Sequence, residues 1–143
     1  MGMPKILLLE DDRDMTMLLQ TLLEIEGYQA WSYDSKRPIV AQAEERIPDL
    51  VLLDVHLGGQ DGIQILRALR ETPALGEVRV VMTSGINLTE ECLRNGANAF
   101  IPKPYMPEHL LEIIRKVLAA PADQKYQEEK PKPSSTMSYP KFL

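Results

Sequence analysis

Four apolar positions stand in a row at Ile6 to Leu9, with no polar alternate between them. A run this short and unbroken suits a strand buried on both faces, here predicted over 5–10. Residues 12–26 follow with Met15, Leu18, Leu19, Leu22, Leu23 and Ile25 at helical spacing, and Gly27 stands where such a helix would stop. The stretch YQAWSY (28–33) reads as a second strand. Asp34 or Ser35 caps a helix running to about Arg46, with Pro38 tolerated in its first turn. A third strand is predicted over 49–55, DLVLLDV, and a helix over 60–71 with Ile63, Leu66 and Leu69 inward. VRVVMTS (78–84) is a fourth strand, 88–95 a short helix ended by Asn95-Gly96, and AFIP (99–102) a fifth strand. The last helix, 107–119, carries Leu110, Leu111, Ile114, Val117 and Leu118 on one face.

Five strands and five helices in strict alternation imply a parallel sheet covered on both sides. The predicted fold is therefore α/β: a doubly wound (βα)5 three-layer sandwich, flavodoxin-like, with a five-stranded sheet of order 2-1-3-4-5. That domain occupies 1–120. From Pro121 the chain turns rich in Pro, Lys, Glu and Ser, and 121–143 is predicted to be a flexible tail or linker.

Composition narrows the setting. A net charge of −5 gives this chain no general attraction for nucleic acid or an anionic membrane. A single cysteine, Cys92, excludes an internal disulfide and suits a reducing compartment. No segment reads as a signal peptide or a membrane span, so a cytoplasmic protein is expected.

The chemistry collects at strand ends. Strand 1 runs into Glu10, Asp11 and Asp12; strand 3 ends on Asp54, strand 4 on Ser84-Gly85, and strand 5 on Lys103-Pro104. In a sheet of this order, ligands sit at the carboxyl ends of the strands beside the switch point. Carboxylates gathered there suit Mg2+ or Mn2+. A carboxylate can also attack phosphorus to give an acyl phosphate, with a lysine and a hydroxyl stabilising the phosphoryl oxygens. Asp12 is better read as a helix cap, and Thr83 competes with Ser84 as the hydroxyl.

The motifs ILLLEDD, LVLLDVHLGGQDG, VVMTSG and GANAFIPKPY, in that order, make the chain resemble the response-regulator receiver domains of two-component phosphorelays. The resemblance covers 5 to about 119. It implies that Asp54 accepts the phosphoryl group and that Glu10, Asp11, Asp54 and the His56 backbone carbonyl bind Mg2+. It makes Ser84 the switch hydroxyl, Phe100 a switch aromatic that turns inward on phosphorylation, and Lys103 the phosphate's partner, with a cis Lys103-Pro104 bond. It also implies a histidine kinase or phosphotransfer protein as donor and an unknown protein target on the face of helix 4, strand 5 and helix 5. The state implied is a monomer or a phosphorylation-dependent dimer, with no enzyme activity beyond self-phosphorylation and self-dephosphorylation.

Three features depart from the family pattern. Gly58 stands where proline is usual, so the Gly58-Gly59 loop is expected to be more mobile. The segment 84–96 is short, which predicts a curtailed helix 4. His56 and Ile86 flank the site where dephosphorylation is tuned.

Other readings have specific requirements. An aspartyl-nucleophile phosphohydrolase wants an acid where His56 stands, and a flavin carrier would meet the acidic EDDRD with its phosphate. The chain also fits the N-terminal receiver fragment of a longer multidomain regulator. A branched Ile86 should hinder attacking water, so a long-lived acyl phosphate is expected. Timed loss of radiolabel from purified phosphoprotein checks this, and rapid decay would contradict it.

Overall fold

The computed structural model describes residues 2–127. The main strands are β1 (Lys5–Leu9), β2 (Gln29–Ser32), β3 (Leu50–Asp54), β6 (Arg79–Ser84) and β7 (Ala99–Pro102). The helices are α1 (Arg13–Ile25), α2 (Ile39–Glu45), α3 (Gly62–Glu71), α4 (Thr89–Arg94) and α5 (Pro107–Ala119). Two further strands, β4 (His56–Leu57) and β5 (Gln60–Asp61), form a small antiparallel hairpin between β3 and α3. The five main strands are all parallel, in the order β2-β1-β3-β6-β7. This is the predicted 2-1-3-4-5 topology with the hairpin inserted.

The pleat sorts the strand residues between two cores. Leu7, Leu9, Val51, Leu53, Val80 and Met82 pack with Ile39, Leu66, Leu69 and Cys92 of α2, α3 and α4. Ile6, Leu8, Leu50, Leu52, Val81 and Ile101 pack with Leu19, Leu23, Leu110 and Ile114 of α1 and α5. Both faces of β1 and β3 are therefore buried, which is why their apolar runs do not alternate. Burial pushes the Cys92 thiol up to about 11, the state of an inert packing residue.

Some elements differ from expectation. Within α1, Leu18 and Ile25 point to solvent, while Thr16 lies inside. The Thr16 hydroxyl donates to the carbonyls of Glu10 and Asp12, so a polar residue satisfies itself in an apolar stripe. The α2 helix begins at Ile39 rather than at a cap on Asp34 or Ser35. Gln42, buried, instead stitches the preceding loop by accepting from Asp34 N–H and donating to the carbonyls of Asp34 and Arg37. Helix α3 starts at Gly62, because Gln60 and Asp61 belong to the hairpin. Helix α4 has only 6 residues, the expected curtailment.

The first residues past α5, where the tail or linker was expected to begin, make hydrogen bonds with the domain. Residues 121–127 lie against the domain, while 128–143 fall outside the described residues. Asn98, only 2% exposed, donates from Nδ2 to the carbonyls of Ala122 and Gln124. Its own carbonyl accepts from Tyr126 N–H. The Tyr126 ring packs on the α1–α5 core and takes Lys116 Nζ over its face, 5.3 Å from the centroid. On its other side Asn98 Oδ1 accepts from Val80 N–H at 2.8 Å and from Arg70 Nη2 at 3.0 Å. One buried amide thus joins α3, β6 and the C-terminal strap.

Replacing Asn98 with alanine should leave a buried N–H and part of a guanidinium unpaired. A loss of about 2–3 kcal/mol is expected by urea denaturation. It should be accompanied by faster exchange of the Tyr126 amide.

Candidate functional site

The carboxyl ends of β1, β3 and β7 deliver four charged groups to one place. Oxygens of Glu10, Asp11 and Asp54 lie within 4.8 Å of one another. Glu10 and Asp54 are buried and Asp11 is exposed. Lys103 enters from the end of β7, where its main-chain N–H donates to Ser84 O and extends the β6–β7 pairing. Its Nζ donates to Glu10 Oε1 at 2.9 Å and to Asp54 Oδ2 at 2.7 Å. Burial opposes the ammonium charge, but the hydrogen bonds to Asp54 and Glu10 outweigh it and hold Lys103 above the ordinary lysine range. The Lys103-Pro104 bond is cis, as expected.

Each carboxylate also receives one main-chain N–H. Glu10 Oε2 accepts from Asp12 N–H at 3.2 Å, Asp54 Oδ1 from His56 N–H at 3.2 Å, and Asp11 Oδ2 from Gly58 N–H at 3.1 Å. Asp12 itself caps α1 by accepting from Met15 N–H, as its place in the sequence implied. Lys103 compensates one of the three negative charges. Two remain in excess, on hard oxygen donors, and Asp11 keeps a solvent-facing edge. That donor set suits a divalent cation.

The switch-position residues fall as follows. Ser84 is buried, and its Oγ accepts from Ile86 N–H at 3.1 Å, which leaves the hydroxyl proton free to donate. Alternation along the strand does not by itself choose Ser84 over Thr83. Thr83 is the in-register neighbour of Asp54, and its buried Oγ1 has no hydrogen-bond partner. Phe100 is 9% exposed and packed with the α2–α3–α4 core. The inward position expected to follow phosphorylation is the one it already occupies.

Sequence similarity now bears on the site. The response regulator receiver domain family matches residues 6–115. The chain belongs to that family. It is similar to the transcriptional regulatory protein CpxR of Escherichia coli, 37% identical over 117 residues, covering 81% of this chain and 50% of CpxR. It is also similar to the phosphate regulon regulator PhoB of Rhizobium meliloti, 29% identical over 119 residues, covering 81% of this chain and 52% of PhoB. The chain thus spans about half the length of the curated relatives it matches. The receiver domain of NtrX from Brucella abortus superposes with a TM-score of 0.71 at 28% identity, covering 80% of this chain and 98% of that one. The chemotaxis response regulator CheY4 of Vibrio cholerae superposes with a TM-score of 0.72 at 22% identity, covering 81% and 99%, and shares the fold.

Three residues of this receiver domain were not singled out by sequence reasoning. Gly62 packs on the end of β3 so closely that an added Cβ would overlap the Asp54 carbonyl oxygen and lie 2.8 Å from Val55 Cα. Tyr105 places a buried hydroxyl with no partner near the cluster, and burial raises it to about 12. Tyr33 lines a cleft beside Glu10 and Asp11; burial, then the charge of Asp11, raises its hydroxyl. Gly62 stood inside the helix predicted over 60–71, Tyr33 at the end of the second predicted strand, and Tyr105 only within the motif GANAFIPKPY.

Lys103→Met should strip the compensation from two buried carboxylates. Stability is expected to fall by about 2–4 kcal/mol at pH 7. Mg2+, if it binds the same carboxylates, should recover part of that loss. Urea titrations of wild type and variant at pH 7, with and without Mg2+, check this.

Proposed function

We propose that this receiver domain takes a phosphoryl group onto Asp54 from a histidine kinase or phosphotransfer protein. The supporting observation is the Lys103 ammonium, bonded at once to Asp54 Oδ2 and Glu10 Oε1 beside the exposed Asp11. An Asp54 carboxylate oxygen attacks the phosphorus of a phosphohistidine. The P–O bond forms as the P–N bond breaks, and the electron pair leaves on the imidazole nitrogen. Lys103 then pairs with the phosphoryl oxygens, and Ser84 donates its free hydroxyl proton to one of them. Mg2+ or Mn2+, when held by Glu10, Asp11, Asp54 and the His56 carbonyl, supplies positive charge to the same oxygens. The chain turns over no separate substrate.

Output passes through α4, β7 and α5. Moving Ser84 towards a phosphoryl group breaks its acceptance from Ile86 N–H and loosens the start of the segment that leads into α4. The readout is a change in partner binding on that face, a two-state equilibrium biased by one added group. Partners are the donor protein and an unknown downstream protein, in the cytoplasm, with no nucleic acid or membrane bound by this chain. Because the matched relatives are about twice as long, a second reading keeps the same chemistry and makes this chain the receiver part of a longer regulator.

Mass spectrometry after acetyl phosphate and Mg2+ tests the proposal. One added phosphoryl group is expected, absent from Asp54→Asn and absent when EDTA replaces Mg2+. An unmodified wild type, or a modified Asp54→Asn, would overturn it.

A further inference from the structure

Asp11 is the one site carboxylate that Lys103 does not touch, and it is exposed. A free aspartate on the surface samples several rotamers, and a cation would have to order it. Its Oδ2 instead accepts from Gly58 N–H at 3.1 Å, across 47 residues of sequence.

That N–H is aimed by an unusual piece of backbone. Gly58 has φ 53 and Gly59 has φ 85, and they join the paired residues Leu57 and Gln60. A two-residue hairpin turn with both φ values positive is type I′, which glycine enters without strain. The glycines build a paired two-residue turn here. The hairpin is also anchored. Leu57 is fully buried in the core, His56 N–H donates to Asp54 Oδ1, and Asp61 caps α3 by accepting from Ile63 N–H. Core packing therefore sets where the tip N–H lies.

We propose that Gly58 is a positioning residue for the cation site: the hairpin clasps the Asp11 carboxylate in place before a cation arrives. The inference rests on the reading that Glu10, Asp11 and Asp54 take a divalent cation. Binding one oxygen of Asp11 leaves Oδ1 for the metal and removes the rotamer freedom that binding would otherwise have to restrain. A proline at 58 has neither the N–H nor access to positive φ, so it cannot form the clasp. Asparagine at 58 keeps both, since Asn-Gly is a favoured type I′ pair.

Mn2+ binding to the full chain, followed by electron paramagnetic resonance of the free ion, separates these cases. Gly58→Asn should bind within about 2-fold of wild type, while Gly58→Pro should bind about 10-fold or more weakly, the usual effect of losing a group that orients a ligand. Amide exchange at Gly58, measured without metal, should quicken in Asp11→Ala, a readout that does not depend on the proline variant folding. Wild-type affinity in Gly58→Pro, equal losses in both Gly58 variants, or unchanged Gly58 exchange in Asp11→Ala would each overturn the clasp. A wild type that binds no Mn2+ would instead overturn the cation-site reading on which it rests.

Discussion

The Lys103 ammonium is the contact on which this site depends. Two buried carboxylates from different strands, Glu10 and Asp54, repel one another at the end of the sheet, and the ammonium between them offsets that repulsion. Lys103 reaches both, and its own main-chain bond to Ser84 O sets the approach. The same ammonium that holds the cluster together is the one that, in the proposed function, pairs with a phosphoryl group on Asp54. The parallel order β1-β3-β6-β7 is the scaffold that brings residues 10, 54, 84 and 103 to one end of the sheet.

Around that ammonium the main chain finishes the site. The N–H groups of Asp12, His56 and Gly58 each take one carboxylate oxygen. These donors are fixed by a helix start and by a hairpin, so they stay put when side chains change partners. They also leave the cluster two charges short of neutrality, with Asp11 open to solvent. A site that is ordered yet under-neutralised suits a divalent cation.

Much of this was legible along the chain. The bounds of β7 and α5 match expectation at both ends, because Pro107 can only begin a helix and Pro102-Lys103-Pro104 can only end a strand. The acids, the hydroxyl and the lysine were readable as strand-end residues. The misreadings have local causes. The hairpin was absorbed into helix 3 because Gln60 and Asp61 look like the first turn of a helix. Leu18 and Ile25 were assigned to the core because a helical stripe in sequence does not say how wide the covering layer is. The start of the expected tail is docked because Asn98 and Tyr126, two residues with no pattern between them, meet in space.

The sequence by itself determined the five main strands, the helices alternating with them and the chemical identity of the cluster. Those follow from periodicity and from residue type, which act over a few neighbours. Only the tertiary structure decided which donor each acid meets: Lys103 on Glu10 across 93 residues, Lys103 on Asp54 across 49, Gly58 on Asp11 across 47. Hydrogen bonds are short and directional, so a partner that far along the chain is selected by packing of the layers between, and no local pattern encodes it.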